Sequence, residues 1–180
     1  LAKEQRKLAR KKKGSKNQEK QKWKIQSLHK KIADSRLDYL HKASTWIAKS
    51  HGKVVLEDLK VANMSKSAKG TMENPGRNVA AKSGLNKSIL DQGWFEFKRQ
   101  LGYKLDWLGG KLVLANPKNT SRCCQKCGHV SKDNRKSQSK FECMNCGYKD
   151  NADLNAAKNI LTVGQTGLAC GSNLIKRSSK

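Results

Sequence analysis

From Asn17 to Lys49 the apolar positions Ile25, Leu28, Ile32, Tyr39, Ala43, Trp46 and Ile47 fall for the most part three, four or seven apart, with Lys and Arg filling the gaps. This spacing puts them on one face of an amphipathic helix, which His51-Gly52 should end. The preceding stretch, residues 1 to 24, holds eleven Lys or Arg against two Glu and breaks at Gly14-Ser15. Two basic helical pieces around a flexible point are expected, with a disordered basic tail as the alternative. Lys53 to Leu59 is a β-branched run ending in acids and predicts a buried strand. Between Lys60 and Lys87 nothing is periodic, and Pro75-Gly76 marks a turn, so the expectation there is a loop or lid.

Apolar periodicity resumes at Ile89, Leu90, Trp94, Phe97, Leu101, Leu105 and Leu108, after Ser88 and Asp91 in capping-box spacing. A second helix should run from there to Gly109-Gly110. Lys111 to Ala115 alternates as a strand does, Asp153 to Leu161 reads as a short helix, and the tail from Gly164 is rich in Gly, Ser and Lys. Helices interleaved with strands predict an α/β layer arrangement.

Charge narrows the partners. The 180 residues carry 39 Lys and Arg against 14 Asp and Glu, a formal +25, which points to a polyanion. There is no 18-residue apolar run, lipidation signal or signal-peptide pattern, so a soluble, intracellular protein is expected rather than a membrane partner. The chain starts at Leu1 inside a charged helical pattern, as a piece of something longer would.

The cysteines carry the clearest chemistry. Cys124-x2-Cys127, fifteen residues, then Cys143-x2-Cys146 is the spacing of two knuckles that each present two thiolates to one ion. Gly128 and Gly147 permit the tight turns. Four thiolates leave no open coordination position, so this zinc is expected to be structural. Cys123 offers a shifted register, His129 a weak alternative ligand, and Cys170 reads as a thiol without a partner. Glu57, at the end of its strand, and Asp153, at the start of its helix, each have an ordinary reading: a surface acid, and an acid on the helix dipole. Together, in so basic a chain, they are candidates for holding magnesium in phosphodiester cleavage. Trp94, Phe95, Phe97, Tyr103 and Trp107 read as core at helical spacing, with base stacking as the alternative.

Several ordered motifs add to this: Gln5 to Ser15, Arg36 to Lys42, Leu56-Glu57-Asp58-Leu59, Asp91-Gln92-Gly93-Trp94, Asn119-Thr120-Ser121, the cysteine pairs, and Asp153 to Ile160. In this order they resemble the C-terminal half of TnpB, the OrfB-type protein of insertion sequences, related to type V CRISPR effectors. The resemblance implies a partial RNase H-like (RuvC-type) α/β domain with long basic helices and an inserted four-cysteine zinc ribbon. It implies a partial nuclease region over 1–118, the ribbon over 119–150, and a final helix with a flexible basic tail over 151–180.

By position, Glu57 and Asp153 correspond to the second and third catalytic acids of that family, both magnesium ligands, with Asp58 and Asp150 as neighbours. The family's first catalytic Asp precedes the basic helix and has no counterpart here, so the chain by itself is expected not to cleave. The function implied is that of a transposon-encoded, nucleic-acid-binding part of an RNA-guided DNA endonuclease, with DNA and guide RNA as partners, in the prokaryotic cytoplasm at the nucleoid. A non-catalytic zinc-ribbon module that grips DNA or RNA is the alternative, and a ribosomal or transcription-type ribbon a weaker one. Oligomeric state is not legible.

Overall fold

A computed structural model describes residues 1–168 and residue 170. Helix α1 (Ala2–Ala9) leads through Gly14, at φ +78°, into α2 (Lys16–Ser50). The Ser15 hydroxyl caps α2 by accepting the Gln18 N–H, while the Gln18 side chain accepts the Gly14 N–H. At 35 residues α2 is about 52 Å long. Strand β1 (Lys53–Glu57), the short helix α3 (Val61–Met64), α4 (Val79–Asp91), α5 (Trp94–Trp107) and β2 (Lys111–Ala115) follow. β1 and β2 pair in parallel, Lys53 opposite Lys111 through Glu57 opposite Ala115. Strands β3 (Lys140–Glu142) and β4 (Lys149–Asn151) form a small antiparallel hairpin that runs into α6 (Ala152–Thr166).

The parallel pair is covered on both faces. Val54, Leu56 and Leu112 pack with Ala48 of α2 and Leu101 and Leu105 of α5, the two leucines fully buried. Val55 packs on the other side with Val163 and Ile160 of α6. Successive strand residues face opposite ways, so Glu57 shares the α6 side with Val55. The layers are helices, sheet, helix, a mixed α/β arrangement.

α2 and α5 are also joined through polar groups. The Lys104 ammonium donates to the His41 carbonyl at 2.9 Å, Ser44 Oγ at 2.7 Å and Thr45 Oγ1 at 2.8 Å. Ser44 also hydrogen-bonds the buried Gln100 side chain, which donates to Glu96. Burial lowers the Lys104 pKa, and hydrogen bonds from Arg99 and then Gln100 hold Glu96 at about 2.

Three sequence expectations are corrected. The 60–87 stretch is not structureless: it contains α3 and the first part of α4, and Asn86 Nδ2 ties the two by donating to the Ser65 carbonyl at 2.8 Å. The helix expected from Ser88 to Leu108 is two helices, parted at Gly93, which adopts φ +67°. Ser88 lies within α4 and bonds back to the Gly84 carbonyl instead of capping. The final helix continues past Leu161 to Thr166. The tail of 171–180 lies outside the described residues. Among the described residues no helix is long and apolar enough to cross a membrane.

Candidate metal centre and nucleic-acid site

The two knuckles fold alike. The Cys124 N–H donates to the His129 carbonyl and the Gly128 N–H returns to the Cys124 carbonyl, while Cys143, Tyr148 and Gly147 repeat this pattern. Both glycines are left-handed, at φ +73° and +68°. Asn134, fully buried, links the knuckles: its Nδ2 donates to the Arg122 and His129 carbonyls and its Oδ1 accepts the Met144 N–H. Phe141, 2% exposed, fills the space beneath with Cys124, Cys143 and Ala152.

The four sulfurs of Cys124, Cys127, Cys143 and Cys146 lie within 4.8 Å of one another, with Cys124 to Cys146 at 3.7 Å and Cys127 to Cys143 at 3.5 Å. A tetrahedral ion with metal–sulfur bonds near 2.3 Å sets its sulfurs about 3.8 Å apart, so the donor set fits one such ion. Burial pushes the Cys124 thiol up to about 12, so a metal entering here must expel a proton. His129 contributes its backbone and not its ring to this arrangement. Among the described residues this is the one convergent group of three or more Cys, His, Asp or Glu.

Cys123 and Cys170, read from sequence as a spare ligand and a partnerless thiol, are instead joined in a disulfide with Cα atoms 6.2 Å apart. α6 carries the chain back over the base of the ribbon, a return that a separation of 47 residues conceals in sequence.

Glu57 ends β1 half-buried, and its Oε1 accepts the Thr120 hydroxyl at 2.6 Å. Asp153 sits in the first turn of α6, beside the cap that Asn151 makes by accepting the Asp153 and Leu154 N–H groups. Its carboxylate is 78% exposed and pairs with Arg135 at 3.4 Å. The contacts of α6 with β1 run in opposite directions: Gly164 lies against Val55, whereas Glu57 reaches α6 through Thr120 and Asn159, more than a turn nearer its N-terminus. Asp58 instead pairs with Lys60 and Lys98, and Asp150 with Lys158 and Tyr148, which hold its pKa at about 2.

Beside Glu57 an apolar cleft is lined by Leu59, Val61, Trp94, Phe97 and Ile160, with Lys98 at its edge. Of the aromatic residues of α5 read as core, Phe97 packs against the cluster of Ala48, Leu101 and Leu105. Trp94, Phe95 and Trp107 are instead exposed, at 37%, 66% and 79%. On α2, Trp46 stands out between Lys42 and Lys49, edge-on to His51, with Tyr39 two turns before it. This face is opposite the one packed on α5 and offers aromatic planes between cations, as nucleic-acid surfaces do.

Sequence reasoning missed the amides that hold the site. Asn155 and Asn159, both buried, donate to the Cys123 carbonyl at 2.8 Å, and Asn159 also to the Thr120 carbonyl. Their signal was present: Ala152, Asn155, Asn159 and Val163 recur at buried-face spacing, which marks two amides as interior.

Residues 1–68 match the family model described as Probable transposase (OrfB, IS605), and residues 94–160 the model described as Cas12f1-like, TNB domain. InsQ of Escherichia coli K12, named as a candidate RNA-guided DNA endonuclease, is 60% identical over 95% of this chain and 42% of its own length. The CRISPR-associated endodeoxyribonuclease Cas12f1 of Sulfoacidibacillus thermotolerans is 39% identical over 38% of this chain and 17% of its own. Among solved structures, a Cas12f1-sgRNA-target DNA complex superposes with a TM-score of 0.57 at 26% identity, covering 80% of this chain and 37% of that one. The mini-RNA-guided endonuclease Cas-phi3 gives 0.56 at 22% identity over 89% of this chain and 24% of that one, a likeness of fold. The chain thus spans about two fifths of the length of the first curated relatives it matches, 42% and 40%.

Proposed function

Because this chain belongs to the TnpB/OrfB-type family of insertion-sequence proteins, we propose that it supplies part of an RNA-guided, magnesium-dependent DNA endonuclease. In this reading the β1–β2 sheet with α6 is part of an RNase H-like (RuvC-type) region, into which the zinc ribbon of 119–150 is inserted. Guide RNA and target DNA are the partners, in the prokaryotic cytoplasm at the nucleoid.

The observation that carries the proposal is the placement of Glu57 on the sheet face covered by α6, the helix that bears Asp153 in its first turn. Carboxylates are the hard oxygen donors that magnesium takes. Glu57 and Asp153 would be the residues that hold magnesium here, each through a carboxylate oxygen. Such a pair, when bound, stabilises the charge on the attacking and leaving oxygens of an in-line phosphoryl displacement. The protein's own part is positional. Asn151 fixes the first turn of α6, and Arg135 is a cation paired with Asp153 at the same end of the helix. The lysines of α2 hold the nucleic-acid backbone through charge. The four-cysteine zinc is structural, having no open position.

The test is cleavage of a guide-matched duplex by the protein translated from its complete reading frame, with magnesium. Glu57→Gln and Asp153→Asn should each abolish cutting while leaving RNA binding in place. Undiminished cutting by both variants would overturn the proposal. A second reading, binding without cleavage, draws on the engagement of Asp153 by Arg135; it predicts that all three proteins bind nucleic acid and none cuts.

A further inference from the structure

The Glu57 carboxylate is bound by a residue that belongs to the approach to the zinc ribbon, not to the sheet. Thr120 is 2% exposed, and its hydroxyl can donate to only one acceptor at a time. Glu57 Oε1 lies 2.6 Å from it, the Pro117 carbonyl 3.1 Å. The shorter contact, to a group that carries charge, is the stronger one.

Thr120 is itself immobilised. Its carbonyl accepts from Asn159 Nδ2 at 2.8 Å, and the same amide reaches the Cys123 carbonyl at 2.8 Å. Asn155 donates to that Cys123 carbonyl and accepts the Gln125 N–H at 3.1 Å. Asn119, one residue before Thr120, takes the left-handed conformation at φ +65°, and its carbonyl accepts the Arg122 and Cys123 N–H groups, each at 2.9 Å. One connected set of hydrogen bonds therefore runs from the first knuckle, through α6, to the end of β1. A buried network with its partners in place is rigid and specific.

We propose that Thr120 is a positioning residue for Glu57: its hydroxyl fixes one carboxylate oxygen so that the other is presented to a divalent cation, and it does so from a backbone held by the ribbon and α6. The proposal rests on the metal-holding role of Glu57 and adds the group that orients it. Outer partners of this kind typically change metal affinity by about tenfold to a hundredfold when removed.

The experiment is a manganese titration of the zinc-loaded 180-residue protein, following the free-ion EPR signal, with thermal unfolding measured in parallel. Glu57→Gln should remove a binding component that wild type has. Thr120→Val, nearly isosteric, should weaken that component about tenfold or more, and Thr120→Ser, which keeps the hydroxyl, should restore it. If Thr120→Val lowers the unfolding temperature but binds manganese as wild type does, while Glu57→Gln does not, Thr120 is structural only and the inference is overturned. If Glu57→Gln binds as wild type does, the metal-holding role fails first and takes the inference with it. Should the valine variant not retain its zinc, the Thr120 hydroxyl proton in wild type decides: slow exchange that Glu57→Gln disturbs supports the inference, and rapid exchange overturns it.

Discussion

Gly164 shows how little room a single position can leave. A Cβ there would come within 2.2 Å of one Val55 methyl and 2.6 Å of the other, and a valine side chain has little freedom to withdraw. Gly164→Ala should therefore destabilise the protein by about 1–3 kcal/mol despite alanine's better helix propensity, as measured by urea unfolding. Val55→Ala should recover part of the loss, with a coupling visible in a double-mutant cycle. Nothing in the sequence near Gly164 announces this, because its neighbour lies more than a hundred residues away; glycine followed by polar residues reads as a tail. The four convergent cysteines were legible because both members of each pair fall within one turn. Glu57 and Asp153 stood out as acids at element ends in a basic chain and took their expected roles from the resemblance, while Thr120, Asn155 and Asn159 required the return of α6 over the cysteine segment to become meaningful.

At the scale of elements, legibility followed periodicity. α2, β1 and β2 were readable because their apolar positions alternate or recur without interruption. The break between α4 and α5 was not, because Ile89, Leu90, Trp94 and Phe97 keep helical spacing straight across it and Gly93 alone turns the chain. α4 begins at Val79 in a segment whose polar composition masks it, since one side of the helix finds its partners through Lys82 and Asn86 rather than through apolar side chains. The four-cysteine segment has almost no core beyond Phe141, so an ion held by the four sulfurs would supply much of its order. Removing zinc with a strong chelator should melt β3 and β4 and expose Phe141, seen as lost amide protection over 119–151, while protection persists at Leu101 and Leu105. Purified without chelator, the protein should contain one zinc per chain. Acid acts in the same direction: the ligands bind as thiolates, Cys124 surrenders a proton against a raised pKa, and zinc affinity must fall as pH falls. Zinc retention that does not vary with pH would contradict this assignment.

For the molecule as a whole, the excess of 25 positive charges dominates its encounters. Six to ten phosphate contacts would cost about 10³–10⁵ in affinity between 50 and 200 mM salt, with a log–log slope close to the number of phosphates neutralised. Filter binding or fluorescence anisotropy across that range should show such a fall for wild type, and Trp46→Ala should weaken binding at every salt concentration without changing the slope, since an indole releases no counterions. A slope altered by Trp46→Ala would remove that residue from the stacking surface. The link between Cys123 and Cys170 has a different reach. It closes a covalent ring around both knuckles, the hairpin and the whole of α6, so a protease that nicks any one peptide bond inside this ring opens the loop without releasing a fragment until a reductant arrives.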